Sequence, residues 1–354
     1  MNKVVLLAPT PPPAGGIAAW TMRMLEANLK NDWGVEVVDE KLFGNTETFG
    51  EGSKRRLCDE IKRTNRIWSD LHKKLRDNEI RVVHSCIPST TFAMIREYIC
   101  AFITHQNKRK FIMHFRCTTP NTTQGKIGHF VFKKLCKISD HIIVLNTSSL
   151  EHVESVCNTP VEVIPNFVDV SEISQNKVIE KDLKIALYVG GVIESKGCSL
   201  ICDMAKQFPE IQFRMVGKAE QSIIDKASIL SNVVLTGPKN KDEVKEELKK
   251  ADVFLFLSHF RGEGFSNSLA EAMAYGLPCI VTDWAANADM IEDKGGIVVA
   301  IDDINSTVEA LRNELDLERR KKQSHFNLEK ITNSYASNVV LDMYVNCYEK
   351  LCKK

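Results

Sequence analysis

The chain has 354 residues, 44% hydrophobic and 26% charged, with a formal net charge of +1. That composition fits a soluble globular protein of two domains and excludes disordered, fibrous and collagen-like classes. The charge is uneven: residues 1–165 hold 23 Lys+Arg against 17 Asp+Glu, a net of +6, and the remainder nets −5, so the first half is expected to meet an anionic partner or surface.

In chain order, residues 4–8 predict a strand, followed by a loop with three prolines and Gly15-Gly16, then a helix over about 17–29. A second strand at 35–38 precedes a long basic helix over about 53–76. Further strands are expected at 80–86, 111–115, 141–145 and 161–164, the last ending in Pro165-Asn166. Segment 126–137 sets four lysines among apolar residues, a basic amphipathic helix suited to a protein surface or to anionic lipid. A polar stretch over 166–180 marks the domain boundary. The pattern then restarts, with strands at 184–189 ending in Gly190-Gly191, at 211–216 before Gly217, at 233–236 before Gly237-Pro238, and at 253–257. Residues 328–351 predict a final helix. Strands alternating with helices in both halves predict α/β domains with doubly wound parallel sheets and a cleft between them.

The run Glu263-Gly264-Phe265-Ser266-Asn-Ser-Leu-Ala-Glu271 carries the chemistry. It follows the buried strand at 253–257. Ser266 is placed to cap a helix, Gly276 and Pro278 stop it, and residues 278–282 hold a second buried strand. The loop therefore lies at the carboxyl end of a parallel sheet, where α/β folds bind ligands. The backbone amides of Gly264, Phe265 and Ser266 and the helix dipole suit a diphosphate. Carboxylates on either side suit the hydroxyls of a sugar nucleotide.

With these residues in view, the chain resembles the retaining glycosyltransferases of family 4, with GT-B architecture: two Rossmann-like domains facing a central cleft. The resemblance rests on Glu263-x7-Glu271 and the following Ala-Met-Ala-Tyr-Gly-Leu-Pro, on Gly15-Gly16, on His114, on residues 164–169, and on Gly191-Val-Ile-Glu-Ser-Lys196-Gly197. It implies an acceptor domain over 1–168, a nucleotide-sugar domain over 169–330, and a C-terminal helix in 331–354 packing back toward the first domain. Glu263, Lys196 and His114 would be catalytic. Glu263 and His114 would contact the donor sugar, and Lys196 would offset charge on the leaving diphosphate. Gly16, Gly191, Gly217, Pro238, Gly264, Phe265, Ser266 and Glu271 would bind the donor, Glu271 through its ribose. The family commonly has an arginine after the glycine matching Gly191; Val192 stands there.

The expected reaction moves a sugar from a UDP- or GDP-sugar to a hydroxyl of a glycan or lipid-linked acceptor, with retention, in cell-surface polysaccharide synthesis. An epimerase or hydrolase of the same fold, or a catalytically silent nucleotide-sugar scaffold, are the alternatives. No Asp-x-Asp motif occurs, so no metal or other cofactor is expected. The eleven scattered cysteines include no Cys-x-x-Cys pair, as in reducing cytoplasm. Neither a secretory signal nor a run of about 20 apolar residues is present. The expected location is the cytoplasm, with peripheral contact at the inner face of an anionic membrane through the basic first domain. No nucleic-acid partner is expected.

Overall fold

A computed structural model describes residues 1–12, 15–41, 57–87, 89–174 and 177–353. The chain divides into two compact units: Met1–Asn166 with Val340–Lys354, and Phe167–Val339.

Unit 1 alternates β1 (Lys3–Ala8), α1 (Gly16–Glu26), β2 (Gly34–Asp39), α2 (Leu57–Lys74), β3 (Ile80–Ile87), α3 (Thr91–Gln106), β4 (Lys110–Phe115), α4 (Thr119–Thr122), α5 (Lys126–Ile138), β5 (His141–Val144), α6 (Thr147–Val156) and β6 (Val161–Val163). Its strands are parallel, in the order β2-β1-β3-β4-β5-β6. Unit 2 continues with β7 (Ile185–Val189), α7 (Cys198–Ala205), β8 (Gln212–Val216), α8 (Gln221–Ser228), β9 (Val233–Gly237), α9 (Lys241–Lys250), β10 (Val253–Phe256), α10 (Asn267–Ala274), β11 (Cys279–Thr282), α11 (Asn287–Ile291), β12 (Gly296–Val299), α12 (Ile304–Asn313) and α13 (Leu317–Lys330). Its parallel order is β9-β8-β7-β10-β11-β12.

These orders are the two common doubly wound arrangements. Each reverses direction once, between β1 and β3 in unit 1 and between β7 and β10 in unit 2, and ligands of such sheets gather outside the carboxyl ends at that point. Strands covered on both faces must be apolar throughout. Val-Phe-Leu-Phe of β10 and Cys-Ile-Val-Thr of β11 are accordingly buried at every position.

Two expectations change, while residues 53–56 of the expected basic helix lie outside the described residues and its described part is α2. β12 adds a strand the sequence pattern does not single out. The expected single helix over 328–351 is interrupted: a π-helical turn at Ile331–Tyr335 ends in extended Ala336, and a new helix, α14, runs Ser337–Cys352. The cause is a parallel bridge between Ala336 and Val168. The Tyr335 carbonyl accepts from Val168 N–H at 2.9 Å and Ser337 N–H donates to the Val168 carbonyl at 2.8 Å, so both groups leave the helical ladder.

Candidate active site

In unit 2 the turn after β7 and the turn after β10 meet at the switch point. Gly197, at φ 75°, follows the short helical turn Glu194–Lys196. A Cβ on Gly197 would lie 2.3 Å from the Leu257 carbonyl oxygen, so only glycine lets this turn rest on the end of β10. The Ser195 carbonyl, one residue before Lys196, accepts from His259 N–H at 3.0 Å. This registration carries the Lys196 ammonium onto the Glu263 carboxylate as a direct ion pair, with the two side chains 17% and 13% exposed. The ammonium also lies 4.6 Å from the Phe260 ring centroid and 5.7 Å from that of Phe256, where ring quadrupoles attract a cation.

The loop after β10 is tied down at several points. Thr282 Oγ1 donates to the Ser258 carbonyl at 2.6 Å, and Trp284 Nε1 donates to the Phe260 carbonyl at 2.8 Å. Ser266 caps α10 as its position predicts, accepting from Leu269 N–H at 3.2 Å. Gly264, Phe265 and Ser266 are buried, with Phe265 edge-on to Tyr335 at 5.3 Å. Gly276 stops the helix at φ 67°.

Glu271, one turn into α10, lines a cavity of about 150 Å³. The cavity sits beside Val189 at the end of β7 and Lys239 just past β9. Val168, Val244, Leu248 and Ala274 supply apolar wall, and Glu172, Lys241 and Lys245 supply charge. Lys241 pairs with Glu172, and Lys239 lies 3.4 Å from Glu247. The result is an apolar slot with a carboxylate on one wall and ammonium groups at its rim. Glu172, Lys241 and Lys245 were not singled out from the sequence. The signal nearest them is the Asn240–Glu243 capping box that starts α9.

The remaining donor-site candidates of unit 2 frame the same strand ends. Gly191 is exposed, with open space where a Cβ would stand, whereas Gly217, at φ 143°, has the Gly190 carbonyl oxygen 1.8 Å from that point. Pro238 is exposed after Gly237. Val192 is fully buried and bridges to Ala219. The position where the family commonly carries arginine is thus filled by core packing.

Gly16 and His114 belong to unit 1. Gly16 opens α1 at the exposed end of the helix. His114, on β4, is fully buried. Its Nε2 lies 3.2 Å from an Arg116 nitrogen, its Nδ1 lies 3.1 Å from His84 Nε2, and His84 Nδ1 lies 2.8 Å from the Tyr348 hydroxyl on α14. A guanidinium can only donate, so His114 Nε2 accepts. His114 then carries its proton on Nδ1 and donates to His84, which donates to Tyr348. Both rings are neutral: burial, then the Arg116 charge, pushes His84 down to about 3 and holds His114 well below its ordinary value. Cys86 completes a trio of potential metal donors within 4.8 Å. The proton this chain places on His114 Nδ1 occupies the lone pair an ion would need. Arg116 is held further by Asn166, at 2.5 Å, and over the Trp20 ring at 4.7 Å. His84, Arg116 and Tyr348 form the part of this arrangement that sequence reasoning did not assemble.

Among the described residues no helix is long and apolar enough to cross a membrane. Residues 169–330 match the family described as glycosyl transferases group 1. The chain is 25% identical over 235 residues to N-acetylgalactosamine-N,N'-diacetylbacillosaminyl-diphospho-undecaprenol 4-alpha-N-acetylgalactosaminyltransferase of Campylobacter jejuni, covering 61% of this chain and 63% of that relative, just under two thirds of its length. Among solved structures, sucrose-phosphate synthase of Thermosynechococcus elongatus aligns over 99% of both chains with TM-score 0.79 at 14% identity. Anabaena HepE in complex with UDP aligns over 99% of this chain and 100% of its own with TM-score 0.74 at 12% identity. Residues 169–330 thus match the group 1 glycosyl transferases, in a chain that shares the GT-B fold of these solved structures from end to end.

Proposed function

We propose that this chain transfers a sugar from a nucleoside-diphosphate donor, a UDP- or GDP-sugar, to a hydroxyl of a lipid-linked glycan, with retention of configuration. The observation that carries the reading is the Lys196–Glu263 pair at the switch point of unit 2, beside the cavity walled by Glu271. In this reading Glu271 accepts hydrogen bonds from the ribose hydroxyls of a nucleoside in that cavity. Lys196 meets the negative charge that grows on the departing diphosphate, a preorganised electrostatic role. Glu263 orients Lys196 and accepts from donor-sugar hydroxyls. Backbone groups of Gly191, Gly217, Pro238, Gly264, Phe265 and Ser266 border the donor, and Gly16 opens a helix whose amides suit an anionic group. His114 supports the reaction from below the surface by holding Arg116. The acceptor hydroxyl attacks the anomeric carbon from the face the diphosphate leaves, the bond to the diphosphate breaks, and the hydroxyl proton passes to the departing diphosphate oxygen. No metal takes part.

The name of the Campylobacter relative, which acts on a diphospho-undecaprenol, supports a lipid-linked acceptor. We infer a cytoplasmic enzyme at the inner face of a membrane from that acceptor, and membership of the retaining family from the Glu263-x7-Glu271 run. Calorimetric titration with UDP and GDP tests the site: Glu271→Ala should weaken the preferred nucleotide by about ten- to a hundredfold, the cost of hydrogen bonds to a charged group. Unchanged affinity would remove Glu271 from the ribose. Buried Val192 in place of an arginine favours a second reading, a nucleotide-sugar-binding scaffold. Binding without a glycosylated product across a panel of nucleotide sugars and lipid-linked acceptors would select it, and a free or altered sugar would indicate a hydrolase or epimerase.

A further inference from the structure

Single exposed apolar side chains are ordinary, but a contiguous cluster marks an interaction surface. Every large aromatic left exposed among the described residues, Phe92, Tyr98, Phe102 and Phe130, lies on α3 or α5 of unit 1. Ile95 and Ile127 join them, 45% and 73% exposed. On α3 the positions 92, 95, 98 and 102 recur at helical spacing, opposite the buried Met94, Cys100, Ala101 and Ile103. The two helices lie side by side. At Gly128, in the first turn of α5, an added Cβ would stand 3.4 Å from Thr91 Oγ1 at the start of α3. The exposed side chains of both helices therefore share one surface.

Charge identifies what that surface meets. Residues 91–139 contain nine Lys+Arg and one acidic residue. That residue, Glu97, is fully buried and bound to Arg96 at 2.6 Å. Lys126, Lys133, Lys134 and Lys137 are exposed on α5, with the Lys134 ammonium 5.6 Å from the Phe130 ring centroid. Neither helix presents a carboxylate to solvent. A second copy of this face would set lysine against lysine, which like-charge repulsion disfavours. Aromatic and aliphatic groups flanked by unpaired ammonium groups match the boundary between acyl chains and anionic headgroups.

We propose that α3 and α5 form a docking surface for an anionic lipid bilayer: Phe92, Ile95, Phe102, Ile127 and Phe130 enter the interface, and the α5 lysines contact headgroup phosphates. The proposal takes its purpose from the lipid-linked-acceptor reading, but it is measured without donor or acceptor. Either can therefore fail alone. The full chain is sedimented with vesicles of phosphatidylcholine, and with vesicles of equimolar phosphatidylcholine and phosphatidylglycerol. Binding is expected to the second and to be much weaker to the first. Lys133→Gln with Lys134→Gln should lower partitioning by about twenty-fivefold at low salt. Phe102→Ser with Phe130→Ser should lower it by about tenfold or more. Both pairs are exposed, so circular dichroism and thermal melting should match the parent chain. Lys321→Gln with Lys322→Gln, on α13 of unit 2, should leave binding intact. Absence of sedimentation with the anionic vesicles would overturn the proposal, as would parent-like sedimentation of both the α5 lysine variant and the phenylalanine variant. So would a lipid-free dimer that the phenylalanine variant abolishes, because a second copy would then cover the face.

Discussion

If Glu263 holds Lys196 in place until a donor arrives, the carboxylate competes with the diphosphate for the same ammonium. Glu263→Gln keeps the shape and a hydrogen-bond acceptor but removes the competing charge. Two unit charges in contact interact by about 4 kcal/mol at an effective dielectric near 20. The side chains keep 17% and 13% exposure, and water screens part of that attraction, leaving about 1–2 kcal/mol. UDP, or GDP if that is the preferred nucleotide, should therefore bind about five- to thirtyfold more tightly to Glu263→Gln than to the parent. Turnover should fall, because the sugar loses a charged acceptor for its hydroxyls. Lys196→Met should do the opposite to binding, weakening the diphosphate, and should cost about a hundredfold or more in turnover, the usual loss for one preorganised charge-stabilising group. Isothermal calorimetry gives the affinities, and product formation with the donor found in the panel gives the rates. Glu263→Gln with unchanged or weaker nucleotide affinity, together with unchanged affinity in Lys196→Met, is the refuting result. The pair would then be an ion pair with no part in diphosphate binding.

Two further outcomes concern the frame of each unit. Gly197→Ala must adopt φ 75° and place a Cβ 2.3 Å from the Leu257 carbonyl oxygen; urea unfolding should show a loss of about 2 kcal/mol or more, and parent-like stability would mean the turn does not rest on β10 as described. His84 has its folded-state pKa pushed from 6.5 down to about 3. Between those values the unfolded chain binds a proton that the folded chain refuses, so stability falls as pH falls through that window. At pH 5 the loss at His84 alone is about 2 kcal/mol relative to neutral pH, and His114 adds to it in the same direction. Urea unfolding at pH 7 and pH 5 should show a smaller acid loss in His84→Gln than in the parent, and equal losses would show that the buried chain is not what titrates.

The strands of both sheets except β12 were legible because strands buried on two faces are written as unbroken apolar runs, and Val253–Phe256 is such a run. Lys196 and Glu263 were each visible from their glycine-framed loops, but their contact was not. It depends on β7 and β10 being neighbours across the point where strand order reverses, and nothing within either loop encodes that adjacency. Val192 invited the opposite error. As a letter it is a missing cation, whereas as a side chain it is core, bridged to Ala219. The chain from Arg116 through His114 and His84 reaches Tyr348, 264 residues beyond His84, because α14 returns to the first sheet; no local spacing could pair a β3 histidine with that tyrosine. The α3 surface was hidden for another reason. Lysines on α5 are conspicuous in sequence because they are charged and seldom buried. The aromatics of α3 are not, because an apolar residue is first assumed to be core. Only the face that β3 and β4 present to α3 decides that Met94 and Cys100 turn inward and Phe92 and Phe102 stay outside. The exposed half of an apolar helix is therefore a property of the sheet it packs on, and the part of this protein best suited to meet lipid becomes visible only once that sheet is in place.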